Sequence, residues 1–174
     1  MNLATELAKK KQGIVKKWFE ETIASYPEDT SKFLKSQKDP FANPVGQTTH
    51  QGLKALFDAV FSGSDRETIV SFLDPIIRIR AVQSFTPSQA TGFIFSLKRI
   101  IRERMNPDAI NRYSDEIFML ESRIDAMGLI GFDIYSSCRE KITDFKATET
   151  RDRIYSAFRR AGLIVETSTE GSGL

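Results

Sequence analysis

A long segment without proline in the last third of the chain constrains the fold more than any other feature. From Ile110, apolar residues recur in alternating steps of three and four. They are Tyr113, Ile117, Leu120, Ile124, Met127, Gly131, Ile134 and Cys138. This spacing is typical of one long helix in a bundle. It continues to Ile142 and Phe145, fades over residues 146–153 and returns at Ile154, Tyr155 and Phe158. We predict a helix over residues 107–161, ended by Gly162, and a polar tail over residues 163–174.

Pairs of a polar residue and a proline predict three helix starts. The pairs are Asp74-Pro75, Thr86-Pro87 and Asn106-Pro107. In each, a side-chain oxygen can cap the helix while proline takes the first helical position, where its missing N–H costs nothing. After Pro87, apolar residues fall at Ala90, Phe93, Ile94, Leu97 and Ile101. That stripe predicts a helix at the centre of the packing.

The remaining segments also carry helical signals. Helices are predicted over residues 3–26, 30–37, 44–61 and 66–73. Residues 38–47 are predicted to form a loop whose Phe41 side chain packs into the core. Strict alternation of apolar residues and hairpin dipeptides are absent from the sequence. The predicted fold class is all-α: an antiparallel helical bundle with a long C-terminal helix, forming one domain over residues 1–162.

Composition excludes several functional classes. The 174 residues carry a net charge of +2, which gives no global field for nucleic acid. No apolar run approaches the roughly 20 residues that span a bilayer, so membrane insertion is not expected. Cys138 is the one cysteine, which excludes an internal disulfide and suits a cytoplasmic protein. No catalytic, metal-binding or cofactor motif occurs, so we expect no catalytic residues, no metal and no cofactor.

Two arginines in the segment IIRIRAV are candidate ligand-binding residues. Arg78 and Arg80 lie about 200° apart on a helix, so only one can face the interior. A buried arginine needs a carboxylate or a carbonyl partner. One interpretation is a pocket for an unknown small ligand, lined by Phe85, Phe93 and Tyr135 and held by Arg78 or Arg80. The favoured interpretation is a structural ion pair with an acid such as Asp125 or Asp133.

His50 is the only histidine in the chain. Any histidine-dependent chemistry would have to use it, and a structural or surface role is the more common one. The segment His50-Gln51-Gly52-Leu53-Lys54 has the residue types of a histidine phosphotransfer helix, in a different order. Phosphotransfer through His50 therefore stays as an alternative hypothesis.

Four segments resemble the N-terminal domain of RsbRD-type proteins, co-antagonists of the RsbT kinase in bacterial stress signalling. They read KKWFEETIASYP, KDPFANPVG, LDPIIRIRAVQSFTPSQATGFIFSLKRIIRE and ESRIDAMGLIGFDIYSSCREKI. The resemblance implies a sensory or regulatory domain that acts on a protein partner. It carries over no catalytic residues.

Together these points predict a non-enzymatic, cytoplasmic module of signal transduction that relays a signal through its long C-terminal helix. A continuous helix can transmit a small rotation or slide to whatever it contacts. Ile154, Tyr155 and Phe158 are the candidate contacts with a partner or a second copy in a homodimer.

Overall fold

A computed structural model describes residues 2–83 and 85–163, which form seven helices and no strand. In chain order these are α1 (Leu3–Ile23), α2 (Glu28–Ser36), α3 (Pro44–Ser62), α4 (Arg66–Val82), α5 (Pro87–Glu103), α6 (Pro107–Arg112) and α7 (Ser114–Arg160). The all-α bundle with a long C-terminal helix is confirmed. None of the helices in this described part is both long enough and apolar enough to cross a membrane. The chain divides into two compact units, residues 1–138 and 139–174.

The N-terminal unit has its core between four helices. Helix α1 packs against both α3 and α5, and α3 packs closely on α4. The predicted stripe of α5 is buried as expected, with Ile94 and Leu97 fully covered. The first part of α7 closes this core at a close approach to α5. There a Cβ on Gly131 would lie 2.7 Å from Cδ1 of Ile94, so a larger residue would require the Ile94 side chain to shift.

The helix ends follow the capping rules that the sequence suggested. Asn43, Thr86 and Asn106 each accept a backbone hydrogen bond from the first turn of the helix that follows, and each precedes a proline at the first helical position. Gly63 ends α3 in the left-handed conformation, with φ of 69°. Gly162 has the same φ just beyond α7, as predicted for the residue that ends it.

The predicted helix start at Pro75 is wrong. Helix α4 runs continuously from Arg66 to Val82, with Pro75 inside it. Proline cannot donate to the carbonyl of Ser71, but both residues are exposed, so water can satisfy that carbonyl. Buried apolar residues on both sides, including Leu73 and Ile76, hold the two halves of the helix in line.

Two further local expectations are wrong. The helix predicted to start at Pro107 is broken at Tyr113, which lies between α6 and α7 with φ of −109° and ψ of 25°. Its side chain is buried in the core of the N-terminal unit. Phe41, expected to plug the core, is 97% exposed. In its place Asn43 is buried, and its amide nitrogen donates to the carbonyls of Leu34 and Gln37.

The C-terminal unit contains the second part of α7. The long heptad pattern is buried in the N-terminal unit as far as Cys138, but residues 143–163 are all exposed. Exposed apolar side chains in this unit are Phe145, Ile154, Tyr155, Phe158 and Leu163. Most of the predicted polar tail, residues 164–174, lies outside the described residues.

Candidate functional site

Arg80 is the charged residue that the fold buries most completely, at 1% exposed. It lies in the last turn of α4, where Leu73, Ile76 and Arg80 follow one another in steps of three and four on the buried face. Arg78, two residues earlier, points to the other side and is exposed. The prediction that only one of the two arginines faces the interior is therefore correct, and the buried one is Arg80.

The Arg80 guanidinium donates to the C-terminal end of α1. Both terminal nitrogens lie 3.4–3.5 Å from the Thr22 carbonyl, and Nη2 lies 2.5 Å from the Ser25 hydroxyl. The same nitrogen donates to the Gln89 carbonyl at 3.1 Å. A cation is favoured at a helix C-terminus, where carbonyls lack intrahelical partners, so Arg80 acts as a tertiary cap for α1.

Three aromatic rings surround the same guanidinium. Its central carbon lies 4.6 Å from the ring centre of Phe85, 5.3 Å from that of Phe93 and 5.4 Å from that of Tyr26. The negative face of an aromatic ring attracts a cation, and the attraction is stronger when water is excluded. The ring of Phe93 is itself positioned by Trp18, whose indole N–H donates to the Phe93 carbonyl at 2.7 Å.

No carboxylate among the described residues pairs with Arg80. The expected ion pair with Asp125 or Asp133 is wrong, because Asp125 pairs with Lys98 at 2.5 Å and Asp133 with Arg66 at 2.9 Å. The Nε atom of Arg80 is buried and has no hydrogen-bond partner. The site therefore holds a full positive charge that only neutral oxygens and rings compensate.

Burial shifts the pKa of the two ionisable residues in this cluster, Arg80 and Tyr26. It lowers the pKa of Arg80, because the charged form loses its hydration, while the nearby Tyr26 opposes the shift. Burial also raises the pKa of the Tyr26 phenol, and the Arg80 charge opposes that change. Arginine remains protonated in proteins even so, since its guanidinium is intrinsically very basic.

An open groove of about 380 Å³ lies against this cluster. Four of its lining residues, Ser25, Tyr26, Phe85 and Gln89, also contact the Arg80 guanidinium. The other three are Pro27, Thr30 and Gln83. Hydroxyl, amide and apolar groups thus line the groove, and the Arg80 cation lies behind its wall, in contact with four of the lining residues.

The structure brings together some of the residues that the sequence singled out and separates others. Arg80, Phe85 and Phe93 meet in one cluster. Tyr135, on α7, joins it because its hydroxyl donates to the Phe85 carbonyl at 2.5 Å. Arg78 is apart from the cluster, and its Nε donates to Asp74 one turn away at 2.5 Å.

His50 lies elsewhere, on the outer side of α3. Its ring meets that of Phe19 edge-on, with centres 5.4 Å apart. A separate groove of about 580 Å³ runs along this surface, lined by His50 together with Lys11, Lys16 and Lys54. The histidine is therefore exposed among lysines, and Lys11 pairs with Asp58 at 2.5 Å.

Sequence reasoning missed Ser25, Tyr26 and Gln89 as members of the Arg80 cluster. A signal for Arg80 itself was present, because it continues the apolar spacing of α4 once that helix is read through Pro75. Ser25 and Tyr26, just after α1, and Gln89, on α5, carried no comparable signal. They become neighbours of Arg80 only through the packing of α1 and α4 against α5.

Comparison with protein families matches residues 12–149 to the RsbT co-antagonist protein rsbRD N-terminal domain. The match covers most of the 174 residues. The chain belongs to this family. Membership assigns it to the regulatory modules of stress signalling and agrees with the resemblance of the four sequence segments.

No curated protein and no solved structure matches the chain.

We predict that Arg80→Lys destabilises the fold by about 1–3 kcal/mol, because lysine lacks the planar guanidinium whose separate nitrogens donate to these acceptors and which packs against aromatic rings. Arg78→Lys is the matched control and should change stability by less than about 0.5 kcal/mol, since its exposed ion pair with Asp74 contributes little. Urea unfolding followed by circular dichroism measures both. Equal losses in the two variants would contradict the role assigned to Arg80.

Proposed function

We propose that this chain is a non-enzymatic, cytoplasmic sensory domain that senses a change at the Arg80 cluster and relays it through α7 to a protein partner. Family membership supports the regulatory part of the proposal. The relay rests on one observation, the hydrogen bond from the Tyr135 hydroxyl to the Phe85 carbonyl.

That hydrogen bond joins the cluster to α7 directly. Phe85 places its ring 4.6 Å from the Arg80 guanidinium, while its carbonyl accepts the proton of Tyr135. A displacement of Phe85 therefore either moves Tyr135 or leaves a partly buried carbonyl without its partner, which is costly. Since Tyr135 lies inside a continuous helix, a shift at this residue is carried along the helix axis.

We predict that Tyr135→Phe increases amide hydrogen exchange in α7 both before and beyond residue 138. The variant removes one hydroxyl and keeps the ring, so the effect on packing is small. Tyr155→Phe is the matched control, because that tyrosine is on the same helix and half-exposed. Hydrogen-exchange mass spectrometry measures the change. An increase limited to the peptides that contain residues 85 and 135 would show that α7 does not relay it.

The partner surface in this proposal is the apolar stripe of Ile154, Tyr155 and Phe158. Phe158 lies four residues after Ile154 and three after Tyr155, so it shares a face of α7 with both, and each of the three is about half-exposed. An amphipathic helix face of this kind is a common site of helix pairing. We propose that it pairs with the same stripe of a second copy in a homodimer.

The homodimer predicts a dimer mass at high micromolar concentration by size-exclusion chromatography with light scattering. The double variant Ile154→Glu/Phe158→Glu should be a monomer, because charges would enter the paired apolar faces. Phe118→Glu is the control, an exposed apolar residue in the N-terminal unit. A wild-type protein that stays monomeric at this concentration rejects the homodimer.

A further inference from the structure

We propose that the groove beside Arg80 binds a small organic monocarboxylate, with its carboxylate toward Arg80 and its apolar body toward Pro27 and Phe85. This inference rests on the proposed sensory function for its biological meaning, and it adds the chemical class of the signal. The binding itself is a property of the groove and can be measured alone.

The first argument is the uncompensated charge behind the groove wall. Arg80 is 1% exposed, its Nε–H has no acceptor, and its other partners are two carbonyls and one hydroxyl. A buried cation without a carboxylate leaves a positive potential in its surroundings, because little water is present to screen it. The groove is where that potential meets solvent, since four of its lining residues contact the guanidinium.

The second argument is the start of α2, which is independent of Arg80. Helix α2 has nine residues, and its N-cap position is occupied by Pro27, whose side chain makes no capping hydrogen bond. Free backbone N–H groups and the helix dipole favour a negative group at such an end. Pro27 and Thr30, from this end of the helix, both line the groove. The start of α2, whose first turn also carries Glu28 and Asp29, therefore borders the same groove as four residues that contact Arg80.

The charge of the ligand follows from the acids beside the groove. Glu28 and Asp29 occupy the first turn of α2, and Glu28 pairs with Lys32 at 2.6 Å. Asp29 makes no ion pair with another described residue. These carboxylates repel additional negative charge, so one charge is favoured over the two or more of a phosphate ester. The volume of about 380 Å³ suits a small molecule.

Ser25 provides the route to the guanidinium. Its hydroxyl donates to the Thr22 carbonyl at 2.7 Å and accepts from Nη2 of Arg80 at 2.5 Å. The residue is exposed, so its side chain can rotate away without a repacking of the core. A carboxylate that takes its place accepts the hydrogen bond from Nη2 and also pairs its negative charge with the Arg80 cation, which the neutral hydroxyl cannot do.

The experiment is a titration of the full chain with benzoate, measured by calorimetry and by amide chemical shifts. Benzamide is the neutral probe of the same shape, and inorganic phosphate is the anion of higher charge. Thr30→Trp fills the groove from an exposed position on α2, and Arg80→Gln removes the cation. Arg78→Gln is the matched control, an exposed arginine two residues away that pairs with Asp74. Melting temperatures without benzoate identify any variant that fails to fold.

We expect benzoate to bind and to shift amides of residues 25–30 and 85–89. Thr30→Trp and Arg80→Gln should weaken binding about tenfold or more, while Arg78→Gln leaves it unchanged. If Arg80→Gln does not fold, Thr30→Trp decides the result. The inference is overturned by an absence of binding, by equal binding of benzamide or phosphate, or by equal loss in Arg78→Gln. Such a failure leaves the α7 relay standing, because its hydrogen-exchange test uses no ligand.

Discussion

The structure depends on how it accommodates one buried cation. Removing an arginine from water costs several kcal/mol, and no described carboxylate offsets that cost here. The compensation comes from the Thr22 and Gln89 carbonyls, the Ser25 hydroxyl and three aromatic rings. Because these groups come from the end of α1, the start of α5 and the connection before α5, Arg80 fixes three segments relative to one another.

Periodic and capping signals in the sequence predicted much of the fold. The spacing of Ile117, Leu120 and Ile124 is local information, and it describes the buried face of α7 correctly. Thr86-Pro87 likewise marks the start of α5, where Thr86 and Gln89 form a reciprocal capping box. Such features depend on residues within one or two turns, so a single sequence contains them.

The site was harder to predict because it depends on contacts between distant segments. Assigning a helix start to Pro75 separated Arg80 from Ile69 and Leu73, whose spacing it continues, and so hid its buried position. Proline inside a helix removes one hydrogen bond and its ring clashes with the carbonyl four residues earlier, so packing between distant segments decides whether the helix continues through it. The hydrogen bond from Tyr135 to Phe85 spans 50 residues of sequence, and no local sequence pattern predicts it.

The nuclear magnetic resonance signal of the Arg80 Nε–H group reports directly on whether this arginine is a buried cation that no described carboxylate pairs with. Ring currents of Phe85 and Phe93 and the exclusion of water act on this proton. We expect one arginine Nε–H signal, assigned to Arg80, that is displaced from the others and exchanges slowly with water near neutral pH. An Arg80 signal with the shift and rapid exchange of exposed arginines would contradict it.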